Sequence, residues 1–181
     1  MSVIHADGDD GVVCVVPEGV ATGALDRWTK GNVPHPGLSI TRGRLTLAGV
    51  PFLAQDQYDR LLWASDLNLV RGEDSFVRAQ WAARPFVWNA YAQRSDVHAL
   101  KLDAFLARYS EGLTPGISAA LAAFSEAWNK AGPHEPDLGA LWPPLADARP
   151  ALGEYGRTWA QALAVQSDLA SALVKFVSDG V

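Results

Sequence analysis

Two periods of apolar spacing alternate along this 181-residue chain. Val12-Val13-Cys14-Val15-Val16 is an unbroken apolar run closed by Pro17-Glu18-Gly19, which predicts a strand buried on both faces. Residues Val20 to Lys30 read as weakly helical, and Asn32 to Gly37 as a loop. Leu38 to Val50 alternates apolar and polar residues, as in Leu45-Thr46-Leu47, and predicts one or two strands ending at Pro51. From Gln55 the period changes to 3.6, with Tyr58, Leu61 and Leu62 on one helix face and Trp63 after them. Leu67 to Val70 is the next strand, with an exit loop Arg71-Gly72-Glu73-Asp74-Ser75. Phe76 to Ala83 is a second helix, with Val77 and Trp81 spaced i, i+4. Pro85 to Trp88 is a third buried strand, and helices follow from Asp96 or Val97 to Tyr109 and from about Pro115 to Lys130.

Gly132 to Pro144 reads as a Pro-rich break. Pro150, well suited to a first helical position, then opens a long amphipathic helix whose apolar positions run from Leu152 to Phe176. Strands alternating with helices imply an α/β domain with a mainly parallel sheet and flanking helices. The pattern divides the chain into a domain over 1–148 and a C-terminal helix over 149–181.

Composition narrows the class. With 49% hydrophobic and 19% charged residues the chain is globular, and no apolar run approaches the ~18 residues of a membrane span. The net charge of −5 and pI of about 5.3 argue against a nucleic-acid-coating surface. A single cysteine, Cys14, excludes a disulfide framework and fits a cytoplasmic location, as does an acidic, Gly-rich start unlike a signal peptide. Seven tryptophans with so few charges imply either an aromatic-rich core or apolar surface that belongs against a partner.

Common chemical signatures are missing: G-x-G-x-x-G after a strand, a Walker A loop, H-E-x-x-H and C-x-x-C do not occur, and the four histidines are scattered. Asp7, Asp9 and Asp10 lack the bidentate glutamate of a calcium loop. Ser75, Asp96 and His98 lack a nucleophile-elbow context. The informative segment is Leu67-Asn68-Leu69-Val70-Arg71-Gly72-Glu73-Asp74-Ser75-Phe76, a strand end, a Gly turn and a helix start. Open α/β sheets bind ligands at this edge, where helix N–H groups and the dipole favour an anion. Gly72 permits close backbone approach, Ser75 can donate to phosphate, and Asp74 suits an N-cap. Glu73 is better used accepting hydrogen bonds from sugar hydroxyls than facing a diphosphate. Ordinary capping, with Arg71 paired to Glu73 or Asp74, explains the same spacing.

The stretch Val50 to Ala82, with R-G-E-D-S-F-V-R-A-Q-W-A at its heart, resembles the elongation factor P arginine rhamnosyltransferases (EarP). Val16-Pro17-Glu18-Gly19-Val20 and Lys101-Leu102 with Ala104-Phe105-Leu106 add to the likeness. The resemblance implies the C-terminal, donor-binding half of a GT-B glycosyltransferase with Rossmann-like halves. Such enzymes transfer L-rhamnose from TDP-β-L-rhamnose to an arginine of elongation factor P, with inversion and without a metal or cofactor. By position, Phe52 would stack on the thymine, Tyr58 would line the base pocket and Gln55 would bond the nucleoside. Glu73 would engage donor hydroxyls in a supporting catalytic role, and Gly72, Asp74 and Ser75 would present the helix start to the diphosphate. Arg71 would orient the acidic pair. The general base is expected in an N-terminal half that this chain lacks, so the chain alone would be inactive, and its last helix would cross to that half. A stand-alone nucleotide-sugar-binding module without catalysis is the alternative.

Overall fold

A computed structural model describes residues 2–5, 11–20, 22–93, 97–130 and 137–179. Asp7, Asp9, Asp10, Asp96 and His134 lie outside them. The described residues form β1 (Ser2–His5), β2 (Val12–Pro17), α1 (Thr22–Thr29), β3 (Ser39–Arg42), β4 (Leu45–Val50), α2 (Gln55–Ala64), β5 (Leu67–Arg71), α3 (Glu73–Trp81), β6 (Phe86–Asn89), α4 (Val97–Tyr109), α5 (Pro115–Asn129), α6 (Leu138–Ala164) and α7 (Leu169–Ser178).

The α/β class holds, but the sheet is mixed rather than mainly parallel. Its order is β3-β4-β2-β1-β5-β6. Parallel pairing occurs between β2 and β4 and between β5 and β6, while β3 pairs antiparallel to β4 and β1 antiparallel to both β2 and β5. Two parallel pairs are therefore joined by a central strand of opposite direction. That strand was not legible because Ser2–His5 is only four residues long and shows no extended alternation. Even so, β2, β4, β5 and β6 run the same way, so their carboxyl ends share one edge of the sheet.

The burial pattern explains the strand readings. Cys14 to Pro17 and Leu67 to Val70 are continuously buried, as unbroken apolar runs require, whereas the alternating Leu45–Val50 strand is only partly buried. A small core of Cys14, Val16, Leu25 and Leu47 seats α1 against β2 and β4. The main core gathers β5, β6 and α2 to α6. At its centre Phe76 stacks on Trp88 at 4.1 Å between ring centroids and meets Phe105 edge-on at 4.8 Å. Tyr109 lies edge-on to Tyr155 and Trp159 at 5.1 and 5.0 Å. Six of the seventeen aromatic residues gather here, while Trp63 and Trp81 are about half exposed.

Two helix readings require correction. The C-terminal helix starts at Leu138, not Pro150, and runs through Pro143, Pro144 and Pro150. Asp137 caps it by accepting from the Gly139 and Ala140 N–H groups. Each interior proline removes a helical hydrogen bond, at a cost of roughly 3 kcal/mol. Burial of Leu145, Ala148 and Leu152 against the main core offsets that cost. Tertiary packing thus overrides the punctuation that made Gly132 to Pro144 read as a break. The helix then ends at Ala164, and Asp168 caps a separate α7 by accepting from the Ser171 N–H. The boundary at 148/149 falls inside α6.

Tyr109 carries the one polar side-chain atom among the described residues that is buried without a hydrogen-bond partner. Its phenol is pushed well above its ordinary value, by burial first and Tyr155 second. An orphaned hydroxyl forfeits desolvation energy that a phenylalanine would not. Tyr109→Phe should therefore raise stability by about 1 kcal/mol, read as a higher urea midpoint at unchanged slope. A drop of similar size would show that the hydroxyl is engaged.

Candidate functional site

The site is built where β4 and β5 end. The β4 chain turns through Pro51 to Ala54 into α2, leaving Phe52 83% exposed. Gln55 is the first residue of α2, with its side chain in solvent. One turn on, Tyr58 is half-buried, and Ser75 in the first turn of α3 lies close enough to act on its hydroxyl. Burial raises the Tyr58 phenol above its usual range, with Ser75 working against it. That proximity sets the start of α2 beside the start of α3.

Gly72 holds the turn between β5 and α3. Its φ of 81° and ψ of 173° lie in a region nearly reserved for glycine. Its N–H donates to the Asn89 carbonyl at 3.1 Å, and its own carbonyl accepts from Trp88 Nε1 at 3.1 Å and from the Phe76 N–H at 3.2 Å. A Cβ at Gly72 would meet the Tyr91 ring at 2.6 Å. The glycine is therefore required both by dihedral and by space. Trp88, read from sequence only as part of a buried strand, also pins this turn.

The structure corrects two roles around it. Gly72, not Asp74, is the N-cap of α3, so the helix starts at Glu73 rather than Phe76, and no side chain caps it. The amides of its first turn stay unpaired within the helix. Arg71 does not pair with Glu73 or Asp74; its guanidinium lies 5.2 Å from the centroid of the Tyr91 ring. The acidic pair is held instead by Lys101 and by Arg78, the latter at the i, i+4 spacing from Asp74. Lys101 of α4 sits 3.8 Å from Glu73, and Arg78 bonds Asp74 at 3.0 Å. Arg78 also grips both oxygens of Asp59 at 2.9 and 3.0 Å, bracing α2 against α3. Asp59 first, then Asp74, raises the Arg78 pKa above its usual value.

The end of β6 is clamped from α5. Asn129 donates to the Trp88 carbonyl and to the Ser125 carbonyl, both at 2.8 Å, and accepts from the Ala90 N–H at 2.9 Å. Asn89 donates to the Trp128 carbonyl at 3.0 Å. These bonds fix the strand that carries Tyr91 beside the Gly72 turn.

All eight residues singled out from the sequence (Phe52, Gln55, Tyr58, Arg71, Gly72, Glu73, Asp74 and Ser75) thus lie at one edge, on α2 and α3 or the turns leading into them. A groove of about 190 Å³, lined by Pro17, Glu18 and His35 among others, opens at the end of β2 along the same edge. Other chemistry is not assembled. Ser75 lies close to Tyr58, and His98 accepts from the Gln93 N–H at 3.4 Å. Burial pushes the Cys14 thiol up to about 11, so it stays protonated and inert at neutral pH. Among the described residues no helix is long and apolar enough to cross a membrane.

The chain is similar to the protein-arginine rhamnosyltransferase of Pseudomonas putida, with 43% identity over 171 residues, covering 94% of this chain and 44% of that protein. It is 41% identical over 165 residues to the protein-arginine rhamnosyltransferase of Pseudomonas aeruginosa, covering 91% of this chain and 43% of that protein. The chain thus spans less than half the length of these curated relatives. A solved structure, described as the structural basis for EarP-mediated arginine glycosylation of translation elongation factor EF-P, superposes with a TM-score of 0.80. It shares 41% identity and covers 97% of this chain and 55% of that one. The profile of the family described as elongation factor P (EF-P) rhamnosyltransferase EarP matches residues 3–178, and the chain belongs to that family.

Proposed function

We propose that this chain is the donor-binding half of a GT-B protein-arginine rhamnosyltransferase that modifies elongation factor P, with TDP-β-L-rhamnose held at the shared edge of β4 and β5. The observation that carries this reading is the bracing of α2 against α3 by the two bonds from Arg78 to Asp59. It sets an exposed aromatic ring and a strained glycine turn beside an uncapped helix start. A nucleoside diphosphate sugar offers groups that match these features. Phe52 stacks on the thymine, Gln55 bonds the nucleoside, and Tyr58 lines the base pocket. The α3 amides at Asp74 and Ser75, together with Arg71, face the diphosphate and supply positive charge as it leaves.

Glu73 engages sugar hydroxyls in this reading, with Lys101 limiting the repulsion between its carboxylate and the diphosphate. In inverting transfer a guanidine nitrogen of the acceptor arginine attacks C1 as the C1–O bond to TDP breaks, and a base removes the proton from that nitrogen. That base, and the surface that docks elongation factor P, belong to the other half of the longer enzymes. The exposed apolar residues of α7, among them Leu169, Leu173 and Phe176, are 54–74% exposed and in this reading pack against that half.

Thermal unfolding with ligand tests the donor assignment. TDP and TDP-rhamnose should each raise Tm, and NAD should not, because a ligand bound only by the folded state stabilises it in proportion to RT ln(1 + [L]/Kd). A shift with NAD and none with TDP would sink the assignment.

A further inference from the structure

A second groove, of about 230 Å³, opens at the opposite edge of the sheet. It is lined by Asp66, which precedes β5, by Arg84 and Pro85, which precede β6, and by Arg149, Gly153 and Arg157 of α6. The five-residue length of β5 separates this edge from the Gly72 turn by about 16 Å. Three of the fifteen basic residues in a chain of net charge −5 converge here, against a single carboxylate in the lining.

The arrangement is built rather than incidental. Arg149, Gly153 and Arg157 recur at steps of four, so they share one face of α6, and the two arginines are about 12 Å apart along its axis. Gly153 between them leaves an open floor, where a Cβ would only just touch the Pro85 ring, at 3.8 Å. One turn along, Gly156 lets α6 approach the Ala83 backbone, where a Cβ would come within 3.3 Å. Ala83 itself has a φ of 55°, a left-handed conformation that costs a non-glycine residue energy and that sets the direction of Arg84. The Arg84 Nε donates to the Trp63 carbonyl at 2.9 Å, which anchors the guanidinium while its Nη groups make no hydrogen bond among the described residues. Arg149 is half-buried, Arg157 is exposed, and neither has an ion-pair partner among the described residues. Planar guanidinium forks match phosphate oxygens bidentately, and they remain charged at every working pH.

We infer that Arg84, Arg149 and Arg157 form an anion site for a phosphate or diphosphate group, separate from the donor edge. Three guanidiniums and one carboxylate leave two positive charges, which a phosphate dianion or a diphosphate neutralises. The site does not depend on the rhamnosyltransferase reading, because none of its residues lies at the edge of Phe52 and Glu73.

The test is a titration of the full chain with sodium diphosphate at low ionic strength, followed through arginine Nε–Hε and backbone amide NMR signals. Saturable movement of the Arg84, Arg149 and Arg157 signals is expected. The R149Q/R157Q double variant should bind about tenfold or more weakly at that site, since each lost charge-assisted bond weakens binding by at least that factor. Gly153→Asp, which puts a carboxylate on the groove floor at ordinary contact distance, serves as an independent variant and should do the same. TDP then reports the source. Movement of these arginines with TDP means that the phosphate arrives on a nucleotide, and movement with diphosphate alone means that it is free. Amide changes confined to residues 72–76, or equal affinity at the arginines in both folded variants, would overturn the inference.

Discussion

Gly72→Ala should remove most TDP binding and destabilise the chain together. The alanine must hold a φ near 81° with ψ near 173°, and such strained conformations cost on the order of 1–3 kcal/mol. Its Cβ also meets the Tyr91 ring at 2.6 Å. Tyr91 is 51% exposed and can swing away, but that move breaks its stacking with Arg71 and displaces the turn carrying the α3 amides. A fall in Tm of about 5 °C and at least a tenfold weaker TDP affinity are the expected results, read by scanning calorimetry and titration calorimetry. Wild-type affinity in a folded Gly72→Ala protein would place the nucleotide elsewhere.

The second large effect concerns transfer. Incubated alone with TDP-rhamnose and elongation factor P, this chain should bind donor and leave the acceptor mass unchanged. The carboxylates beside the proposed diphosphate position, Glu73 and Asp74, are held by Lys101 and Arg78 on the donor side. Neither is available to orient an acceptor guanidinium, which stays protonated until a base acts on it. Adding the complementary half of a relative should restore transfer, and Glu73→Gln should then depress it severely while leaving the thermal unfolding of this chain near wild type. A mass increase of one deoxyhexose with the chain alone would refute the proposal, and full turnover by Glu73→Gln would assign that residue to structure.

Gly72, Glu73, Asp74 and Ser75, with Arg71 before them, could be singled out from spacing because neighbours in sequence there are also neighbours at the sheet edge, whereas Phe52, Gln55 and Tyr58 came from the family resemblance. A strand, a glycine and a helix start within ten residues fix their own geometry. What holds them was hidden. Arg78 reaches Asp59 across 19 residues, and Asn129 reaches Trp88 across 41, and no local pattern encodes such pairings. Arg71 was misread for the same reason: its neighbours Glu73 and Asp74 suggested ion pairs, but its guanidinium lies over the ring of Tyr91, just past the end of β6. Proline punctuation misled in α6 because the energy of its buried face is set by α5 and the aromatic cluster, which the local sequence does not contain. Val77 and Trp81 show the converse. Their i, i+4 spacing is real, yet both are about half exposed, so the pair is surface rather than core.

The direction of β1 has a practical consequence. Ser2 pairs with Val15, toward the carboxyl end of β2, and with Asn68, near the start of β5, while His5 pairs with Val12, so the strand runs opposite to both neighbours. Any polypeptide joined ahead of Ser2 therefore leaves the sheet on the side where Gly72 and Phe52 lie. Under the proposed donor assignment an affinity tag or fused reporter placed there competes sterically with the nucleotide, so binding assays on amino-terminally tagged protein should under-report affinity until the tag is cleaved.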